Sequence, residues 1–427
     1  MQKLSSRLRH SFVHRTVLDN GITLITVENN VADIIAARLF FKAGSCREPR
    51  SKAGLAHLLA STMTKGIPGL SATEIAEKIE SIGASVGTDA AADYFVTSIK
   101  TVSADFSAIL ALVAAIVRSP TLPEREVELE QKLTLQSIRS QQEQPFNIAY
   151  HQLREAMYAE HPYGISSLGT EATVAQIARD DLAEYHQTYF RPDNLIISLS
   201  GRIAPEEAVE LIDRVFGDWK APETALPPLK LPSLTPNPSR HLKPQATQQA
   251  IVVLGYLTAA IASDDYIPLK LLSTYLGNGL SSRLFVELRE KRGLAYDVSA
   301  FYPTRLDASQ FVAYIGTAPN NSAIALQGLH AEIERLCHAP LSLEELQASK
   351  NKLLGQYALG KQTNAEIAQS YGWYETLGVG IEFDETFQEG VREVTPEIAQ
   401  EVACRYFSPA PYISLVGPEE AIAQATL

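Results

Sequence analysis

A histidine on an amphipathic helix becomes a metal ligand only in company, and His57 has none at helical spacing. Its helix is expected over residues 54–65, where Ala60 and Ser61 follow on the next turn. A lone imidazole in that setting reads as a packed or hydrogen-bonded side chain. His151, His161 and His186 lie in another region and show no ligand spacing among themselves. Cys46, Cys337 and Cys404 are odd in number and far apart in the chain, with no C-x-x-C pair, so neither a disulfide framework nor a thiolate metal site is expected. No phosphate loop and no G-x-S-x-G elbow is present, and Asn278 between Gly277 and Gly279 fits a tight turn. Arg289 and Tyr296 are better placed. Gly293 is a good helix stop, so Arg289 falls in a last helical turn and Tyr296 opens the next strand, which lets both approach one cleft. A purely structural reading makes Arg289 a cation at a helix C-terminus and Tyr296 a strand aromatic.

The elements that must hold these side chains occur twice. Tyr189-Phe190-Arg191-Pro192 leads into the apolar run 197–201, and Tyr406-Phe407-Ser408-Pro409 leads into 413–417, with one inserted residue between the copies. Each follows a helix, expected to start at Thr173 in the first copy and at Thr395-Pro396-Glu397 in the second. Upstream, the first half reads as strands 21–27 and 34–42, helices 54–65 and 72–82, two strands within 84–101, and an apolar helix at 106–118. The second half reads as a strand at 250–256, helices at 265–276 and 282–291, two strands within 294–313, and a helix at 322–336. Between the halves, seven prolines from Pro222 to Pro244 predict a semi-rigid connector. The expected organisation is therefore an α+β domain over 1–220, a linker over 221–245, and a second α+β domain over 246–427. Each domain should be a mainly antiparallel sheet with helices on one face.

Composition bounds the function. A chain of 427 residues with 45% hydrophobic and 20% charged residues can bury large cores in two or more domains. Its formal charge of −12, from 37 basic and 49 acidic residues, argues against nucleic acid or anionic membrane as a partner. The apolar stretch 106–117 is too short to span a bilayer and reads as a core helix. Residues 1–15 show no apolar leader with a cleavage site, so a cytoplasmic location is expected.

Lys42-Ala43-Gly44-Ser45-Cys46-Arg47-Glu48-Pro49 followed by Gly54-Leu55-Ala56-His57-Leu58-Leu59 resembles the start of the pitrilysin or insulinase family of inverted-zincin peptidases. The resemblance spans nearly the whole chain and best fits the short two-domain branch related to mitochondrial processing peptidase. In that family H-x-x-E-H supplies two zinc ligands and a general base, and a later glutamate is the third ligand. By that resemblance His57 stands at the first ligand, Ala60 at the base, Ser61 at the second ligand and Ser137 at the third. Glu130 stands at a supporting carboxylate. A hydroxyl is a poor zinc ligand and alanine accepts no proton, so no metal and no cofactor is expected in this chain. The segment 281–296 resembles the family's second-half signature, in which the positions of Arg289 and Tyr296 bind peptide backbone and stabilise the oxyanion at a zinc held elsewhere. Strand region 83–97 resembles the sheet edge that pairs with extended peptide.

The resemblance thus implies a catalytically inactive subunit. Its partner would be a homologous chain bearing H-x-x-E-H and the zinc, in a heterodimer acting on peptides, with a homodimer as the assembly when alone. The alternative is a structural, core-protein-like homologue without a proteolytic role, for which Arg289 and Tyr296 would be dispensable.

Overall fold

The computed structural model describes residues 13–426; most of the N-terminal stretch read for a leader lies outside them. Along the first half run β1 (Val13–Val17), β2 (Thr23–Glu28), β3 (Ile34–Phe41), α1 (Leu55–Met63), the small hairpin β4 (Gly66–Ile67) and β5 (Leu70–Ser71), and α2 (Ala72–Glu80). They continue with β6 (Ser85–Ala90), β7 (Phe95–Val102), α3 (Phe106–Arg118), α4 (Glu124–Glu143), α5 (Pro145–Tyr158), the single turn α6 (Glu171–Val174), α7 (Arg179–Tyr189), β8 (Leu195–Gly201) and α8 (Pro205–Phe216). The second half holds β9 (Arg240–Pro244), β10 (Ala250–Thr258), α9 (Tyr266–Gly277), β11 (Asp297–Phe301), β12 (Ser309–Thr317) and α10 (Ser322–His338). It ends with α11 (Leu343–Leu359), α12 (Asn364–Thr376), α13 (Phe383–Glu393), α14 (Pro396–Phe407), β13 (Tyr412–Gly417) and α15 (Glu419–Thr426).

The local signals explain these bounds. Ser71 caps α2 by accepting from Glu74 N–H while the Glu74 carboxylate accepts from Ser71 N–H at 2.8 Å, a reciprocal capping box. Thr395 caps α14 as expected, accepting from Ile398 N–H. Thr173 is a correction. It does not start the long helix; it completes a capping pair with Thr170 around α6, and α7 begins after Ala178, whose N–H is held by the Asp181 carboxylate at 2.7 Å.

The chain forms two compact units, and they are not the contiguous halves 1–220 and 246–427. Unit 1 comprises the residues up to Ile138, Ser166–Lys230 and Leu359–Phe383. Unit 2 comprises Arg139–Ile165, Leu231–Ala358 and Asp384–Leu427. Helix α5, from the first half, belongs to unit 2, and α12, from the second half, belongs to unit 1. The 221–245 connector is also shorter than expected, because β9 within it pairs with β13. Pro244 is tolerated there since β9 is an edge strand, where a missing donor leaves no neighbour unsatisfied.

Unit 1 is built on a six-stranded sheet in the order β1-β2-β8-β3-β7-β6, antiparallel except for β2 with β8. Alternating residues divide its two faces. Leu24, Leu39, Phe41, Ile99 and Ile197 face one buried cluster with α1, α3, α7 and α8, while Ile25, Phe40, Val96 and Ile196 face a smaller one against Tyr371 and Trp373 of α12. Most helices thus share a face, and one exchanged helix covers the other. Asn364 fixes its start, donating to Ile34 C=O at 2.9 Å and accepting from the Asn29 amide at 2.7 Å.

Unit 2 repeats the plan with five strands, β11-β12-β10-β13-β9, antiparallel except β13 with β9. On one face, rings of α5 meet the sheet, Phe146 with Tyr314 and Tyr150 with Phe301. On the other, Tyr256 and Phe311 pack on Phe407 of α14.

Candidate functional site

Two regions carry the residues singled out by the sequence, one in each unit. In unit 1 the chain enters α1 through a turn that only particular residues permit. Gly44 has φ 109°, and a Cβ there would fall 2.5 Å from Ala91 C=O; Gly54, at φ 99°, precedes the helix. Between them Glu48 turns its partly buried carboxylate onto the helix start, accepting from Gly54 N–H at 2.9 Å and Ala56 N–H at 2.5 Å. Burial pushes the Glu48 carboxyl up to about 8, against the pull of those two donors. Thr173 supports the same turn, donating to Ala53 C=O at 2.8 Å. Neither residue type nor spacing signals this role.

On α1, His57 is partly buried, and loss of solvent lowers its basicity although the Asp89 and Glu130 carboxylates oppose that. Ala60 is buried, and its carbonyl accepts from Thr88 Oγ1 of β6 at 2.6 Å. Ser61 donates back to His57 C=O at 3.1 Å, and Ser137 on α4 donates back to Leu133 C=O at 3.0 Å. Both hydroxyls are thus turned onto their own helices. Glu130 is engaged by the Lys65 ammonium at 2.9 Å. Among the described residues no three His, Cys, Asp or Glu side chains are grouped so that they could hold a metal ion. One imidazole and two hydroxyls bonded to their own helices do not fit the donor set of a catalytic zinc.

Beside α1 lies β6, the terminal strand of the unit 1 sheet among the described residues, where it pairs with β7 alone through residues 85–90. Its outer side presents backbone donors and acceptors to a further strand. The 83–97 region therefore contains a true sheet edge.

In unit 2, the expected helix 282–291 is present but wound differently. Phe285–Lys291 forms a π-helical segment, a rare winding that recurs at functional sites. It is pinned from both ends. Arg283 pairs with Glu332 of α10 at 2.7 Å and with Glu287 at 3.1 Å, and Lys291 pairs with Glu287 at 2.8 Å. Those cations hold the Glu287 carboxyl below its usual range, the Lys291 hydrogen bond foremost. Arg289 is exposed, its guanidinium stacked over the Phe285 ring at 4.9 Å. Gly293, at φ 62°, ends the segment, donating to Arg289 C=O at 3.0 Å. Tyr296 follows, its N–H bonded to Gly316 C=O at 2.9 Å and its side chain 58% exposed. A core aromatic would not be left so open. The π winding was not readable from the sequence, because Phe285-Val286-Glu287-Leu288-Arg289 suits an ordinary helix equally well.

Residues 23–171 match the family model described as Insulinase (Peptidase family M16), and residues 176–353 match the model described as Peptidase M16 inactive domain. An uncharacterized zinc protease of Bacillus subtilis, YmxG, is 26% identical over 407 residues, covering 95% of this chain and 98% of that one. An uncharacterized zinc protease of Rickettsia bellii is 26% identical over 408 residues, covering 94% and 96%. Among solved structures, a peptidase M16 inactive domain from Pseudomonas fluorescens superposes with a TM-score of 0.88 at 24% identity, covering 95% of this chain and 98% of that one. A protease from Helicobacter pylori gives 0.90 at 24% identity, covering 95% and 99%. No helix among the described residues is long and apolar enough to cross a membrane.

Proposed function

Since the chain belongs to the pitrilysin/insulinase peptidase family, M16, we propose that it is a member without hydrolytic activity of its own, serving as one subunit of a heterodimeric zinc peptidase. The partner is a homologous chain bearing H-x-x-E-H, and the zinc belongs to that chain. The observation that carries the reading is the state of α1 and α4: the hydroxyls of Ser61 and Ser137 are bonded to their own helices and Ala60 can accept no proton. Arg289 and Tyr296, both exposed and held by a pinned segment, are this chain's contribution. Tyr296 Oη donates a hydrogen bond to the substrate carbonyl oxygen as charge develops on it, and Arg289 holds the peptide backbone. The β6 edge offers a sequence-tolerant place for an extended peptide through main-chain hydrogen bonds.

The test is to purify the chain with any H-x-x-E-H homologue that accompanies it, then assay each subunit alone and the two recombined. Peptide cleavage is expected from the mixture, with zinc following the partner. Cleavage by the isolated chain, abolished by chelation, would overturn the proposal. Full turnover by the partner alone would favour a structural role instead.

A further inference from the structure

Cys337 and Cys404 are separated by a long stretch of sequence, yet the fold of unit 2 brings them together. Cys337 lies in the last turn of α10, and Cys404 faces it from α14. The contact is reciprocal. Cys404 Sγ donates to the carbonyl of Cys337 itself at 3.1 Å, and Cys337 Sγ donates to the carbonyl of Ala403, next to Cys404, at 3.5 Å. Gln400 Nε2, one turn before Cys404, donates to the same Cys337 carbonyl at 3.0 Å, so the α10 terminus is held against this face of α14. The two thiols also interact side chain to side chain, the approach that a disulfide requires. Neither residue is fully buried. Cys46, by contrast, is buried in unit 1.

We infer that Cys337 and Cys404 form a redox-convertible dithiol that, when oxidised, staples the end of α10 to α14. With a low-molecular-weight disulfide such as oxidised glutathione as oxidant, one cysteine thiolate attacks a glutathione sulfur and expels one glutathione thiolate. The second cysteine then attacks the protein-bound sulfur and expels the other. One S–S bond forms in the protein and one is lost from the oxidant. Two electrons pass to glutathione, and the two cysteine protons end on the two released thiols. The Cys337 thiol is pushed up to about 11, chiefly by burial, so little thiolate is present at neutral pH and conversion is slow there. The staple closes a long loop and so restricts the unfolded chain.

The full-length chain is incubated with excess oxidised glutathione at mildly alkaline pH, and free thiols are counted after denaturation. Three thiols are expected to fall to one, with the mass lowered by two hydrogens and Cys337 and Cys404 linked in the peptide map. The melting temperature should rise by several degrees and return on reduction. In Cys46→Ala the thiol count should fall from two to none. Retention of all three thiols, a stable glutathione adduct, dimers linked through one cysteine, or a bond that leaves the melting temperature unchanged would each overturn the inference.

Discussion

The Glu48 carboxyl accepts two backbone N–H groups at the start of α1 yet is largely desolvated, and these facts pull its proton affinity in opposite directions. Burial prevails. A folded-state value raised to about 8 from an ordinary 4.5 means that the folded protein binds this proton more tightly than the unfolded chain between those limits. Its stabilising effect is therefore complete below about pH 4.5 and lost as the pH rises through about 8. In Glu48→Gln that dependence should vanish, so its melting temperature should change less between pH 5 and 8 than that of the parent. Parallel pH profiles for the two proteins would refute the assignment. At the same scale, Tyr296→Phe should leave assembly with the H-x-x-E-H subunit intact and slow peptide cleavage by about 10²-fold, the usual cost of removing one oxyanion donor. Unchanged turnover would leave Tyr296 as a surface aromatic.

Among the elements, the exchanged helices make the sharpest demand on sequence. Gly372 of α12 lies so close to the sheet that a Cβ would meet Phe40 Cε2 at 2.5 Å and Ser198 Cβ at 2.9 Å. Gly355 of α11 has nothing within 4 Å. Alanine favours a helix interior over glycine by about 1 kcal/mol. Gly355→Ala should therefore gain roughly that amount, whereas Gly372→Ala should lose about 1–3 kcal/mol through overpacking. Urea unfolding of both variants decides it, and equal signs would show that α12 does not sit as described. These helices also mark where sequence reading ran out. Periodicity, capping residues and the duplicated Y-F-x-P segments made the strands and helices common to the two halves legible, whereas α5, α8, α11, α12 and α13 were not read from the sequence. Nothing in the pattern of residues 145–158 says which sheet they cover, because an amphipathic face is equally apolar wherever it docks. Thr170 and Thr173 are both competent caps, and Ala178 carries no side-chain oxygen to betray the true start of α7. At the candidate site, the missing donors were readable as residue types. The Lys65–Glu130 pair and the π winding depend on side-chain approach and backbone twist, which no spacing rule encodes.

For the whole molecule, the two units each require a segment from the other half of the chain. A fragment ending at Lys230 retains every strand of the unit 1 sheet but lacks α12, leaving Ile25, Phe40, Val96 and Ile196 uncovered. It also keeps α5 without the unit 2 sheet on which α5 packs. Such a fragment should bind a hydrophobic dye and self-associate, while the full chain should not. A monomeric fragment with a sharp, cooperative melt would contradict this.

The placement of α12 also bears on how the protein is made. Synthesis runs from the N-terminus, and residues 364–376 leave the ribosome well after the last strand of the first sheet, residues 195–201. Until then the first sheet has one greasy side with no lid, and translation of the segment between Gly201 and Asn364 must proceed with that side shielded. This protein should therefore lean on nascent-chain chaperones across that interval, a dependence that two self-contained halves would have escaped.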